Sequence, residues 1–180
     1  EVKNLLSSGS AAWGSDLPAG SAADAFGQGQ AAMVVESETM VKTLADAYSS
    51  VSYTVVELPA GSGGKGTLQF PTFYGVVEAS KHKADAIKLV EYLTAAERQV
   101  ALAGAAGTVP AGKAAGETWK GKHADQAAFL AGVEYSQPVP SASGTSDIIA
   151  NFDNELPGLA GGDPASILGS AQVNLQAVLS

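Results

Sequence analysis

Three short β-prone runs limit what this chain can become. They are AAMVV at 31–35, SYTVVEL at 52–58, and a stretch at about 73–78 inside LQFPTFYGVVEAS. Each is short and is bounded by Gly, Pro or polar residues, the pattern of a strand rather than a helix. Between and after them the apolar period becomes helical. Met40, Leu44 and Tyr48 recur every four residues. In SKHKADAIKLVEYLT, Ser80 is a natural N-cap. Ala86, Ile87, Leu89, Val90 and Leu93 form one face there, with Asp85, Lys88 and Glu91 on the other. Thr94 and Glu97 have capping-box spacing for a second helix at about 95–104, ending at Gly104. A third helix is expected at about 124–134, and shorter ones at 1–8 and 21–26. Ile149, Phe152 and Leu156 make a further stripe stopped by Pro157. Asp163-Pro164 then supplies an N-cap followed by Pro at the first helical position. GTVPAGKAAG at 107–116 and the Pro-rich SQPVPSASG at 136–144 read as loop or extended chain. Strands mixed with helices, then helices only, give an α/β class.

Composition narrows the function. The chain has 180 residues, 46% hydrophobic and 16% charged, enough to fill a core. Its formal net charge is −8, and its 10 basic residues form no cluster, which argues against nucleic acid and anionic membranes as partners. There are no cysteines, so disulfides, thiolate nucleophiles and Cys-ligated metals are excluded. No apolar run reaches the roughly 18–20 residues that span a bilayer. No signal peptide is recognisable, and EVKNLLSSG reads as the tail of a helix already under way. The expectation is a fragment of a mature protein.

The chemistry-bearing residues are few. AAMVV ends abruptly in Glu36-Ser37-Glu38-Thr39. On an extended segment Glu36 and Glu38 point the same way, with side chains about 7 Å apart. That spacing fits three readings: a solvated strand end, a ligand-binding edge, or a carboxylate pair for glycoside chemistry. Ligands of open α/β sheets sit outside the carboxyl ends of strands, which favours a role for the tetrad. His82 and His123 lie in polar segments without metal-ligand spacing and read as surface histidines. GSGGKGT at 61–67 is only superficially a phosphate loop, because Lys65 is followed by Gly66 and no helix pattern follows. PAGSGGKG at 59–66 reads instead as a flexible linker. No G-x-S-x-G elbow is present. Phe70, Phe73 and Tyr74 cluster around Pro71, suited to a core or to stacking on a flat ligand face. Trp13 and Trp119 read as local anchors in Gly-rich loops.

Three ordered segments resemble one family. AFGQGQAAMVVES is similar to the helix-turn-strand of extracellular solute-binding proteins of ABC sugar importers, where F-x-x-G-x-A-A-M is frequent. VVELPAGSGGKG resembles that family's strand, Leu-Pro and variable loop. GVVEASKHKADAIKLVEYLTAAERQVALAGAAGTVPAGKAA resembles the strand, two helices and Gly-x-x-Pro turn that follow. The resemblance implies a type II-like periplasmic-binding-protein lobe, the C-terminal part of a two-lobed protein of the maltose/oligosaccharide-binding kind. It implies 1–57 and 111–180 in the C-terminal lobe. Residues 58–110 would be the hinge plus a segment of the other lobe. It implies a non-enzymatic, cofactor-free and metal-free protein in the periplasm or lipid-anchored at the cell surface. Its partners would be a carbohydrate and a membrane permease, with self-association of the fragment to cover its apolar faces. Glu36, Ser37, Glu38 and Thr39 then line the cleft. The family often carries a Trp nearby; this chain has none between 31 and 45. Phe73 and Tyr74, with Ser143 and Thr145 from the last crossover, are expected to complete the site. The rivals are a binding protein for a peptide, polyamine or metal ion, a glycosidase using Glu36 and Glu38, and an adhesive surface domain.

Overall fold

The computed structural model describes residues 1–179. It is mixed α/β, with a small parallel sheet and many helices. Two compact units divide it, one made of residues 1–25 and the chain from Pro140 onward, the other of Phe26–Val139. The expected boundaries at 57/58 and 110/111 both fall inside the second unit.

In the first unit, α1 (Val2–Ser7) packs on a 3-10 turn at Leu156–Ala160, and α8 (Thr145–Glu155) packs on α9 (Pro164–Leu179). Ile148 and Leu159 are its buried apolar anchors. The Asp163-Pro164 signal holds: Asp163 Oδ1 accepts the Ala165 amide at 3.1 Å, capping α9. Lys3 Nζ donates to the Gly162 carbonyl at 2.6 Å and ties α1 to the entry of α9. Ser21 Oγ accepts the Asp24 amide at 3.1 Å, which sets the start of α2 (Ala22–Gly27).

The second unit holds α3 (Thr39–Ala47), α4 (Lys83–Leu93), α5 (Ala96–Ala106), α6 (Lys113–Lys122) and α7 (Ala127–Val133). The last four pack in sequence order, each on the next. Gly107 ends α5 with φ 70°, a left-handed conformation that favours glycine, and the Thr108 amide donates to the Ala103 carbonyl. The stop is therefore Gly107, not Gly104. The Thr94–Glu97 box does not form, because Thr94 Oγ1 donates back to the Val90 carbonyl at 2.7 Å. Ser80 accepts the His82 amide, and α4 begins three residues later than Ser80.

Two corrections are larger. Helix α6 occupies part of the expected loop and carries Trp119, which is a core residue at 2% exposure rather than a loop anchor. The strands also differ. The sheet consists of β1 (Thr67–Gln69) and β2 (Ser136–Pro138), parallel, with Leu68 opposite Gln137. Runs 31–35, 52–58 and 73–78 form no strand among the described residues. Residues 31–36 and 52–60 make no backbone–backbone hydrogen bond there. A strand exists only through its neighbour's ladder, and among the described residues none of these runs has a ladder partner. Several of their apolar side chains are open, with Met33 88%, Val56 75% and Phe73 83% exposed, while Val34, Val55 and Val76 are half-buried.

Candidate functional site

The acidic tetrad lies where irregular chain turns into α3. Glu36 and Ser37 belong to no helix or strand, Glu38 is the N-cap with helical φ and ψ (−59°, −24°), and Thr39 is the first helical residue. The strand alternation expected for Glu36 and Glu38 is absent, since Glu38 has left the extended conformation. The same-face geometry that made them a catalytic pair goes with it. What replaces it is a polar helix start. Ser37 Oγ and Thr39 Oγ1 share a hydrogen bond at 2.7 Å, and Glu36 Oε2 accepts the Ser37 amide at 3.0 Å. Glu36, Ser37 and Thr39 are exposed and Glu38 is half-buried. Met40 and Leu44, one turn apart on the opposite side, are buried and fix α3 in place.

The other expected residues are distributed unevenly. Phe73 and Tyr74 lie in the same unit as the tetrad, on the extended segment after β1, with their rings largely open to solvent. Ser143 and Thr145 belong to the first unit, at the turn into α8. Ser143 is exposed. Thr145 is 2% exposed, and its hydroxyl has no hydrogen-bond partner among the described residues. A buried, unpaired hydroxyl costs about 1–3 kcal/mol, whereas an apolar group of the same shape does not. Thr145→Val is therefore expected to raise stability by about 1 kcal/mol. Chemical denaturation checks this, and a loss of similar size would show that the hydroxyl has a partner in solution.

His82 is exposed at the N-cap of α4, the surface position that its polar helix-start context implies, whereas His123 stacks on the Trp119 indole at 4.7 Å between ring centroids. His123 is half-buried, not a free surface side chain.

One polar cluster escaped the sequence. Glu57 Oε2 accepts hydrogen bonds from Lys65 Nζ at 2.7 Å and from the Tyr135 hydroxyl at 2.8 Å. Lys65 Nζ also stands 5.4 Å from the Tyr135 ring centre. The hydrogen bonds from Lys65 and Tyr135 hold the Glu57 carboxyl below its ordinary pKa. The bond to Glu57 raises both the Lys65 ammonium and the Tyr135 phenol. Lys65 is thus held by a carboxylate, and its loop leads into β1 rather than a helix, so the segment has no phosphate-loop geometry. The only sequence cue was a lone lysine among glycines. Tyr135, which shares Glu57 with it, lies in the turn between α7 and β2.

The polar side chains of the tetrad and of the Gly-rich segment are exposed or half-buried at a helix start and in loops. The family model described as bacterial extracellular solute-binding protein matches residues 2–129, and the chain belongs to that family. No curated protein matches it. Membership makes this an extracytoplasmic, solute-capturing protein of a generally non-enzymatic family, usually paired with a membrane transporter. The match includes the tetrad, the Gly-rich segment and the 73–74 aromatics, and stops short of Ser143 and Thr145.

Proposed function

We propose that this solute-binding protein captures a sugar or oligosaccharide outside the cytoplasm, in the periplasm or lipid-anchored at the cell surface. It delivers the ligand to the permease of an ABC importer without chemical change. The observation that carries this reading is the open set of hydroxyls and carboxylates at the start of α3. Glu36 and Glu38 accept hydrogen bonds from sugar hydroxyls, and these are charge-assisted. The hydroxyls of Ser37 and Thr39 both donate and accept, as a polyol requires. Phe73 and Tyr74, exposed on the same unit, offer ring faces to the apolar side of a pyranose.

Calorimetric titration against a panel of mono- and oligosaccharides tests this, with chromatography of the recovered ligand. The expected result is a complex with unaltered sugar. Glu36→Ala combined with Glu38→Ala should weaken binding about ten- to a hundred-fold, the worth of one hydrogen bond to a charged group. Unchanged titration heats in the double variant would remove both residues from the site. Cleaved sugar would indicate a glycosidase. Binding of a peptide or polyamine in place of any sugar would move the reading to a different solute.

A further inference from the structure

Residues 57–66 form a small finger in the second unit. At its tip Gly61 and Gly64 exchange both backbone hydrogen bonds at 3.0 Å around Ser62-Gly63. At its base Glu57 meets Lys65 across the turn, and Tyr135 reaches Glu57 from the corner between α7 and β2. The chain leaving the finger becomes β1, which pairs with β2 immediately after Tyr135, and Ser136 Oγ donates to Gln69 Oε1 at 3.0 Å. Among the described residues, the side-chain hydrogen bonds that hold the finger below its tip run from Lys65 and Tyr135 to Glu57.

We propose that Glu57, Lys65 and Tyr135 form a releasable latch that holds the Gly-rich finger 57–66 on the α7–β2 corner, with the Glu57 carboxylate as its shared acceptor. The latch goes beyond solute capture and operates whatever the solute is. A segment with glycines at 61, 63, 64 and 66 has many conformations available, so side-chain ties decide how much of that freedom is lost. The Glu57 side chain is 32% exposed and that of Lys65 is 52%, so water and salt reach the pair. An exposed ion pair of this kind is weak enough to open.

The charged and titratable groups around it are Lys65 and Tyr135, with Glu134 acting on Lys65 from the end of α7. The carboxyl of Glu57 titrates lower in the folded protein than in the unfolded chain. Its contribution is complete above the unfolded value of about 4.3 and is lost as pH falls through the lower folded value. Lys65 and Tyr135 titrate higher when folded, so their contributions are complete below their unfolded values and are lost as pH rises through the folded ones. The latch is closed across neutral pH and opens at both extremes.

Trypsin reads this directly, because cleavage after Lys65 requires its ammonium to leave Glu57. The turn at Lys81, before α4, serves as the internal reference. In Glu57→Gln, cleavage after Lys65 is expected to be about two- to five-fold faster than in the parent, with cleavage after Lys81 unchanged. Tyr135→Phe should fall between the two. Added salt should accelerate the Lys65 cut relative to the Lys81 cut in the parent and not in Glu57→Gln. Equal rates after Lys65 in parent and both variants would overturn the latch. So would equal acceleration at Lys65 and Lys81, which would make Glu57 a support of the whole unit.

Discussion

Trp119→Ala lowers the unfolding free energy by about 3–5 kcal/mol, the cost of emptying a large aromatic site in a core. Trp119 is 2% exposed. Ala115, Gly116 and Trp119 are all buried on α6 at i, i+1 and i+4. Gly116 faces α7, where a methyl added to it would meet Leu130 Cδ2 at 3.6 Å, an ordinary packing distance. Trp119 then supplies most of the apolar volume that α6 buries. No other side chain on that face is large enough to fill the gap, so the cavity would persist. Domains of this size hold only about 5–15 kcal/mol in total, so the variant should unfold at a much lower denaturant concentration. His123→Ala removes only a half-buried stacking partner and should cost much less, about 0.5–1.5 kcal/mol. Urea unfolding followed by circular dichroism separates the two. A loss below about 1 kcal/mol for Trp119→Ala would mean that α6 is held by something other than its indole.

The same helix shows where the sequence stops being legible. α4, α8 and α9 announce themselves through branched and aromatic residues at helical spacing, and Asp163-Pro164 marks an end that the structure keeps. α6 has no such stripe. Its sequence, KAAGETWKGK, contains two glycines, and its inner face is alanine, glycine and one tryptophan. A face built from small residues looks like a loop until a neighbour packs on it. The strands fail for the opposite reason. Runs 31–35 and 52–58 have the right side chains, but pairing depends on a second segment that local pattern does not specify. The site was half visible. A burst of carboxylates and hydroxyls after an apolar run was plain at Glu36–Thr39, whereas its conversion into a helix start depended on Met40 and Leu44 being buried. The contact between Glu57 and Tyr135 spans 78 residues and leaves no local trace.

That dependence on Met40 and Leu44 makes Leu44→Ala the second large effect. Leu44 is 1% exposed, and its truncation should cost about 2–5 kcal/mol. α3 has nine residues, too few to persist in water without packing. Its register against the rest of the unit is set by the Met40–Leu44 stripe, and that register places Glu38 and Thr39 on the first turn. Leu44→Ala should therefore also weaken solute binding, although no polar atom of the proposed site has been changed. Asp46→Ala provides the contrast on the outer face of the same helix. It breaks the exposed Lys42–Asp46 pair, worth at most about 0.5 kcal/mol, and should leave affinity as it was. Leu44→Met, which nearly conserves volume, should recover most of both losses. If Leu44→Ala loses stability yet binds its solute with parental affinity under conditions where it remains folded, recognition does not depend on how α3 is seated. The tetrad at its start would then be a solvated helix end, and the search for the solute's contacts would move to the exposed aromatic segment after β1.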